Sequence, residues 1–405
     1  MTKTAIIILN WNGRHLLEKY LPGVLQHSLQ SDASSGLQSE ASSSLQSDAS
    51  CSSRSEVSND SSDSSNLCDS SDLCGEDFCG SCDKTAGGDS FCDSHSTKVV
   101  IADNGSTDDS LAWLSEHYAS QCEVVTLDKN YGFAEGYNRA IQAVDAEYVV
   151  LLNDDVRVQE NWLQPMIAYM DAHPEVAACQ PKILSDREPG MFEHAGAAGG
   201  FIDRLGYPFC RGRIQSVIEA DHGQYDSVID LFWATGACLL IRKKDFLEAG
   251  GLDARFFAHM EEIDLCWRLR SRGRRIVCLP QSKVWHWGGG TLSAENPRKT
   301  FLNFRNNLLM LYKNLPEAKL RSVLCQRALL DFVAAMFFIL KDERKNAKAV
   351  FEARRAYRQM KPEYESIRRE VQAAAIKHDI PEIYHGISII DYFLKGKKHF
   401  SDLKF

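Results

Sequence analysis

The sequence of 405 residues lacks the uninterrupted apolar run of about 18 residues that a membrane-spanning helix needs. Its most apolar stretch, residues 323–340, is broken by Arg327 and Asp331. The amino terminus carries only a short apolar run after Thr4, which is too little for the hydrophobic core of a secretory signal. We therefore expect a cytoplasmic protein.

Glycine-rich phosphate-binding motifs are also absent. No G-x-G-x-x-G follows a predicted strand, and G-x-x-x-x-G-K-[ST] occurs nowhere in the chain. Proteins with those motifs hold phosphate on backbone N–H groups at a helix N-terminus. Without them, we expect any bound diphosphate to be held through a cation.

Net negative charge is absent outside one segment. Residues 28–97 carry thirteen Asp and Glu against Arg54 and Lys84, a local charge of −11, so the rest of the chain has +2 of the total −9. The segment is rich in Ser, Asp and Gly, contains an octad repeated almost three times and has few residues able to form a core, which predicts a disordered insert. A metal site at Cys74, Cys79, Cys82 and Cys92 is the weaker alternative, because Cys-x-x-Cys occurs there only once.

The remaining chain alternates short apolar runs with helical periodicity. Strands are predicted at 4–9, 99–102, 123–127 and 148–152, and helices at 14–27, 108–118, 133–144 and 162–172. This alternation is typical of an α/β fold with a parallel sheet. In such sheets, ligands bind beyond the carboxyl ends of the strands.

The predicted strand ends are rich in Asn, Asp and Gly. Asp103 lies at the end of the second strand, where a carboxylate can accept hydrogen bonds from a nucleobase or ribose. Asp154 and Asp155 directly follow the fourth strand, and their hard oxygen ligands suit Mg²⁺ or Mn²⁺. Either position alone is equally consistent with an ordinary polar turn.

The second half of the chain adds a cluster of acids and a histidine. Glu261, Glu262 and Asp264 lie at the predicted start of a helix, where the macrodipole favours acids and keeps a general base ionised. Mutual repulsion should raise the pKa of one of them. His286, between two tryptophans and next to glycines, is a candidate metal ligand, and His259 is a weaker one.

Taken in order, these motifs resemble those of the family 2 inverting glycosyltransferases of GT-A fold, and most of all the bacterial rhamnosyltransferase-type members. The residues that carry the resemblance are Ile7-Ile8-Leu9-Asn10-Trp11-Asn12, Ala102-Asp103-Asn104-Gly105-Ser106-Thr107-Asp108, Asn130-Tyr131-Gly132-Phe133, Leu152-Asn153-Asp154-Asp155, Gly236-Ala237-Cys238, Glu261-Glu262-Ile263-Asp264-Leu265 and His286. The resemblance implies a Rossmann-like, mostly parallel sheet between helices. The catalytic domain would comprise residues 1–27 and 98–300, followed by a helical region at 301–405.

The resemblance also implies roles for individual residues. Asp103 would contact the base or ribose of a nucleotide sugar, with Asn10 and Asn12 in the pocket wall. Asn130 and Asn138 would lie near the donor phosphates or sugar. Asp155, supported by Asp154, would bind Mg²⁺ or Mn²⁺, and His286 would complete the metal shell. Glu262 stands where the family has an Asp as the base, so Glu261 and Asp264 remain alternatives.

The implied activity is transfer of a sugar from a UDP- or dTDP-linked donor to a hydroxyl of a saccharide or lipid-linked acceptor, with inversion, in cell-surface polysaccharide synthesis. A sugar nucleotidyltransferase is the nearest rival, although Asn10-Trp11-Asn12-Gly13 lacks its glycine-rich signature with Arg or Lys. A non-catalytic sugar- or nucleotide-binding protein is a second alternative. No nucleic-acid partner is expected.

The carboxyl-terminal region combines apolar and basic residues. Residues 301–378 have helical periodicity, and Arg321, Lys341, Arg344, Lys345 and Lys348 flank the apolar run 323–340. Such helices either lie on an anionic membrane surface or pack on the catalytic domain. The first alternative would place the protein peripherally on the inner membrane.

Overall fold

A computed structural model describes residues 2–29, 96–288 and 296–405. The predicted disorder of the insert and its alternative metal site concern residues that lie almost entirely outside these ranges. Both therefore stay predictions, as do the domain boundaries.

The first half of the described chain has the predicted alternation of strands and helices. Its elements are β1 (Thr2–Asn10), α1 (Arg14–Ser28), β2 (Thr97–Asp103), α2 (Ser110–Tyr118), β3 (Glu123–Thr126), α3 (Gly132–Ala143), β4 (Ala146–Asn153), β5 (Val156–Val158), α4 (Gln164–Ala172) and β6 (Val176–Ser185). The apolar runs of β1, β2 and β4 are buried on both faces, as parallel strands between helices must be.

The second half begins with short strands and continues into helices. Its elements are β7 (Gly200–Asp203), β8 (Pro208–Cys210), β9 (Arg213–Ile214), β10 (Val217–Ile218), β11 (Ile229–Asp230), β12 (Cys238–Arg242), α5 (Lys243–Glu248), α6 (Glu261–Ser271), β13 (Arg275–His286), α7 (Pro297–Asn314), α8 (Glu317–Leu340), α9 (Arg344–Met360), α10 (Tyr364–Ala374), β14 (Ile383–Tyr384) and α11 (Ser388–Lys395).

The main sheet has the strand order β11-β13-β6-β12-β4-β1-β2-β3, with β5 paired to β13. Strands β1 to β4 are mutually parallel, and β13 is parallel to β6. Strand β12 lies antiparallel between β4 and β6. The predicted fold class, a mostly parallel sheet between helices with a helical carboxyl-terminal region, is confirmed.

A second sheet, in the order β10-β9-β8-β7-β14, was not predicted. Its strands are two to four residues long, which is too short for a period-two pattern to be visible in the sequence. Strand β14 comes from the carboxyl-terminal region and pairs in parallel with β7. The carboxyl-terminal region is thus joined to the central part of the chain by backbone hydrogen bonds.

Within the described ranges, α8 is the one helix that is long and apolar enough to cross a membrane by length and composition. Only 22% of its most apolar window is buried against the rest of the protein. The core helix of a soluble protein passes the same test of length and composition, but such a helix is mostly buried.

Candidate active site

The parallel register of three strands brings the predicted polar residues together. Asn10 of β1 is directly opposite Asp103 of β2, and Leu9 is opposite Asn153 of β4. Because the three strands run in the same direction, the residues that follow them lie at one edge of the sheet. The polar edge expected from the sequence is therefore present.

Asn10 and Asp103 form a buried hydrogen-bonded pair at this edge. The Asn10 Nδ2 donates to Asp103 Oδ1 at 3.1 Å and to the Ser106 hydroxyl at 3.1 Å, while the Ser106 N–H donates to Asp103 Oδ2. Asn12, in the left-handed region at φ 52°, accepts the Thr107 N–H at 2.7 Å. These bonds lock the loops after β1 and β2 to each other.

The other two predicted asparagines differ in position. Asn130 accepts the Gly132 N–H at the start of α3 and is held by Asn104, which also accepts the Tyr131 N–H. Asn138 lies further along α3. Its Nδ2 donates to the Leu252 carbonyl, and its Oδ1 accepts the Leu252 N–H. Asn138 therefore braces a turn, and the structure does not bring it to the same edge.

Asp155 and His286 meet where β4 and β13 end. His286 Nε2 lies 3.0 Å from Asp155 Oδ1, and the Gly288 N–H donates to Asp155 Oδ2 at 3.1 Å. On the other side of the ring, His286 Nδ1 lies 3.4 Å from Glu193 Oε1. All three side chains are less than a tenth exposed.

These contacts shift the pKa values of the neighbouring Asp154 and Asp155 in opposite directions. Burial and repulsion by Asp155 raise the pKa of Asp154 to about 7. Burial would raise the pKa of Asp155 as well, but its contact with His286 lowers it below the ordinary value. Burial would lower the pKa of His286, yet its contacts with Asp155 and Glu193 raise it to about 10.

The donor set fits a divalent cation. Asp155 Oδ1 and His286 Nε2 are buried and face each other at 3.0 Å, and a bound cation would take the place of the imidazole proton between them. Across the described ranges, no three His, Cys, Asp or Glu side chains surround a single point. Two protein ligands suit a Mg²⁺- or Mn²⁺-type site whose remaining positions are filled by water and substrate phosphate.

The acidic pair Glu261 and Glu262 is presented by a strained segment. Phe257, His259 and Met260, which precede α6, have φ values of 67°, 71° and 73°, in the left-handed region that non-glycine residues rarely adopt. Such strain persists only where the surroundings over-determine it, and it is concentrated at functional sites. This segment delivers Glu261 and Glu262 to the first turn of α6.

Asn306 of α7 holds the strained segment in place. Its buried side-chain amide donates to the carbonyl oxygens of Phe256, Ala258 and His259 at 2.8–3.0 Å. The carbonyl of Phe257 accepts the Phe133 N–H at the start of α3. The backbone of the segment is thus fixed from two sides.

The three acids of α6 have different surroundings. Asp264 is fully buried, lies 2.7 Å from Lys313 Nζ and 2.9 Å from the Arg268 guanidinium, and accepts from Asn314. Glu261 and Glu262 each have a buried carboxylate oxygen without a hydrogen-bond partner. The structure therefore uses Asp264 as an internal ion-pair partner and leaves the two glutamates available.

Burial raises the pKa of both glutamates. The pKa of Glu262 is raised to about 7, and burial together with repulsion by Glu262 raises the pKa of Glu261 well above its ordinary value. Glu262 lines a cavity of about 670 Å³ together with His286 and Glu193. Glu262 is therefore the acid that combines access to the cavity with a pKa near neutrality.

Cations border the same cavity. Arg187, Arg213 and Lys299 line it, together with His194 and His259. Burial, followed by the neighbouring cations, lowers the pKa of His194 to about 4, and burial with Lys299 does the same for His259. Both histidines are therefore neutral at pH 7, and both line the cavity together with His286.

Sequence comparison finds a known family over part of this chain. Residues 92–244 match the family model described as Glycosyl transferase family 2. The chain carries a family 2 glycosyltransferase domain. The matched range contains Asp103, Asp154 and Asp155 but ends before Glu262 and His286.

Curated relatives of the glycosyltransferase domain include three bacterial proteins. The chain is 26% identical over 202 residues to the O-antigen biosynthesis protein RfbC of Myxococcus xanthus, covering 50% of this chain and 16% of that protein. It is 28% identical to the N-acetylglucosaminyl-diphospho-decaprenol L-rhamnosyltransferase of Mycobacterium tuberculosis (46% and 66% covered) and 25% identical to the rhamnosyltransferase WbbL of Escherichia coli (56% and 84% covered). The chain spans only 16% of the length of RfbC and 23% of the length of another relative, the uncharacterized protein y4gI of Sinorhizobium fredii.

Solved structures similar to the glycosyltransferase domain were also found. GalNAc-T7 with UDP, GalNAc and Mn²⁺ aligns with a TM-score of 0.48 and 12% identity, covering 79% of this chain and 49% of that one. A Pyrobaculum calidifontis mannosyltransferase with GDP-Man and Mn²⁺ aligns with a TM-score of 0.43 and 11% identity, covering 93% of this chain and 86% of that one.

Two site residues of the glycosyltransferase domain were missed by the sequence analysis. Glu193 lies in an irregular segment between β6 and β7 and carries no motif that distinguishes it from a surface acid. Asn306 lies among other polar residues of α7, and its role depends on a segment some fifty residues earlier in the chain. The spacing of residues in the sequence therefore indicates neither Glu193 nor Asn306 as a site residue.

Proposed function

We propose that this chain is an inverting, metal-assisted glycosyltransferase. It would transfer a sugar from a UDP- or dTDP-linked donor to a hydroxyl group of a saccharide or lipid-linked saccharide, in the synthesis of a cell-surface polysaccharide. The observation that carries the proposal is that Glu262, with a pKa near 7, borders the same cavity as His286, whose ring contacts Asp155 at 3.0 Å. The family 2 domain and the rhamnosyltransferase names of two relatives support it.

Asp155 and His286 are the proposed ligands of a Mg²⁺ or Mn²⁺ ion. When bound, such an ion would stabilise the negative charge of the departing nucleoside diphosphate. Glu193 holds the imidazole from the opposite side, so the ring is oriented as metal-binding histidines usually are by a second carboxylate. Asp154 is adjacent in the chain, and its pKa, raised to about 7, limits the negative charge at the site.

Glu262 is the proposed general base. The acceptor hydroxyl oxygen would form a bond to the anomeric carbon while the bond from that carbon to the diphosphate oxygen breaks. The electron pair of the broken bond leaves with the diphosphate, and the hydroxyl proton moves to Glu262. A single displacement of this kind inverts the anomeric configuration and needs no covalent enzyme intermediate.

The edge formed by Asn10, Asn12 and Asp103 is the proposed donor-binding side. Asp103 is held rigidly by Asn10 and Ser106, so its position is set before any ligand binds. Asn130 lies at the start of α3, next to this edge. Asn138 is not included, because the Leu252 backbone already occupies its amide.

Release of nucleoside diphosphate from a panel of nucleotide sugars, with Mn²⁺ or Mg²⁺ and with a chelator, tests the proposal. A glycosyltransferase releases nucleoside diphosphate, whereas a nucleotidyltransferase releases pyrophosphate when it forms a nucleotide sugar. Asp155→Asn should abolish release, and Asp109→Asn is the matched control because Asp109 is exposed and makes no capping hydrogen bond. Full release in excess chelator would contradict the metal-assisted mechanism.

A further inference from the structure

Helix α8 buries two charged residues against the protein and exposes a stripe of apolar residues. The side that faces the protein carries Arg327 and Asp331, which are 2% and 0% exposed. The opposite side carries an apolar stripe with helical spacing and exposures of 48–85%, formed by Leu329, Phe332, Val333, Phe337 and Leu340. A soluble protein normally buries such a stripe and exposes the charges.

Buried ion pairs fix this orientation. The Arg327 guanidinium donates to the Leu205 carbonyl at 2.9 Å and lies 3.5 Å from Asp331, which is also bound by Arg354 of α9. The same guanidinium stacks over the Tyr207 ring at 4.0 Å. Rotating the apolar stripe inward would remove each of these charges from its partner, which is strongly unfavourable.

The apolar stripe continues onto α9 and adjoins a cluster of cations. Phe351 of α9 is 46% exposed, and its ring centre is 6.5 Å from that of Phe332. Residues 341–358 contain seven Lys and Arg against three Asp and Glu, a net charge of +4. The exposed members of this basic cluster include Lys341, Arg344, Lys345, Lys348 and Arg355.

The positive charge of the basic cluster decides between two candidate partners for this surface, a second copy of the chain and a lipid membrane. A second copy of the chain, paired through the same surface in a symmetric dimer, would bring one basic cluster against another. An anionic lipid surface would instead accept the stripe among its acyl chains and attract the cations to its headgroups.

We propose that α8 and α9 dock on an anionic membrane, with α8 lying parallel to the surface. The apolar stripe enters the boundary between headgroups and acyl chains, and the basic cluster contacts the anionic headgroups. Helix α8 does not cross the bilayer in this arrangement, because its inner face is committed to Arg327, Asp331 and the body of the protein.

Flotation of the full chain with vesicles of neutral phosphatidylcholine, with or without 30% phosphatidylglycerol, tests the proposal. We expect the chain to bind the anionic vesicles. The double variant Phe332→Ser with Phe337→Ser should weaken this binding at least tenfold. Leu247→Ser is the matched control, because Leu247 of α5 is also 47% exposed but lies outside the stripe.

The contribution of charge is tested with Lys345→Gln and Lys348→Gln. Each cation near an anionic surface contributes about fivefold to binding, so the double variant should lose about 25-fold on anionic vesicles. On neutral vesicles it should bind like the unaltered chain. Lys244→Gln, an exposed lysine of α5, should change neither result.

Three outcomes would overturn the proposal: no flotation with anionic vesicles, equal flotation with both kinds, or flotation unaffected by the stripe variants. Light scattering, which measures the mass of the particle in solution, tests the alternative occupant. If the chain is a dimer and the double variant Phe332→Ser with Phe337→Ser is a monomer, the stripe binds a second copy of the chain. Nucleoside diphosphate release with a soluble acceptor should be unchanged in all these variants. Failure of the membrane proposal is thereby distinguishable from failure of the proposed function.

Discussion

Replacing Glu262 by Gln should abolish transfer and, at the same time, stabilise the fold at alkaline pH. Glutamine keeps the shape of the side chain but cannot accept the acceptor proton, so kcat should fall by about 10²- to 10⁴-fold. Donor binding should change little, because Glu262 lies on the acceptor side of the proposed site. Both effects follow from one property, the burial of a carboxylate that has no counter-ion.

The magnitude of the stabilisation follows from the pKa of Glu262. Burial raises it from the ordinary 4.5 to about 7, so the folded state holds the proton more tightly than the unfolded chain does. Stability should therefore fall as the pH rises from 4.5 to 7, and the whole penalty should be present above pH 7. At 1.36 kcal/mol for each pH unit of that interval, the penalty is about 3 kcal/mol.

Urea denaturation of both proteins between pH 4 and pH 8.5, in chelator, measures this effect. The two should be equally stable near pH 4, and Glu262→Gln should be the more stable by about 3 kcal/mol at pH 8. In the unaltered enzyme, kcat/KM should rise with pH and level off above about pH 7. Glu261→Gln is the matched control, because Glu261 is the neighbouring buried glutamate but does not line the cavity, so its replacement should leave kcat nearly unchanged.

The reasoning would be refuted by a Glu262→Gln protein that retains more than a tenth of kcat. It would equally be refuted by one that is less stable than the unaltered chain at pH 8. Inactivity of Glu261→Gln alone would move the role of the base to Glu261.

Three further predictions concern the surroundings of the site. Asp155→Asn should remove the Mn²⁺ dependence of nucleotide binding in calorimetry, and unchanged metal-dependent binding would exclude Asp155 as a ligand. Asn306→Ala should lower the free energy of unfolding by about 2 kcal/mol, because it leaves buried carbonyls unpaired, and should lower kcat at least tenfold with donor affinity unchanged. Asn314→Ala on the same helix is its control. A normal kcat per folded molecule of Asn306→Ala would show that Asn306 only stabilises the fold. Lys313→Met should destabilise the protein by about 3–5 kcal/mol in urea, because Asp253 and Asp264 lose their buried partner; a loss below about 1 kcal/mol would contradict this account.

The first half of the fold was predictable because its signals are local. Long apolar runs bounded by turn residues predicted β1, β2 and β4, and ten-residue amphipathic stretches predicted the helices between them. The antiparallel direction of strand β12 was not predicted, because strand direction depends on the path of the connecting chain. The second sheet was missed because its strands are shorter than one detectable period.

The candidate site was predictable to the extent that it depends on strand ends. Asp103, Asp154 and Asp155 follow strands directly, so parallel pairing alone brings them to one edge. The environment of each acid was not predictable. Asp264 and Glu262 are two positions apart on α6, yet one is held by Lys313 and Arg268 and the other faces the cavity.

The sequence by itself determined the order of the strands and helices in the first half of the fold, the chemistry of the strand ends and the presence of an apolar helix with two charges in it. These are properties of neighbouring residues, and they survive without knowledge of distant contacts. Only the tertiary structure decided which acid has a pKa near 7, that Glu193 and Asn306 support the site, and which side of α8 faces outward. Each of these depends on burial and on partners far away in the chain, and those arise only when the chain has folded.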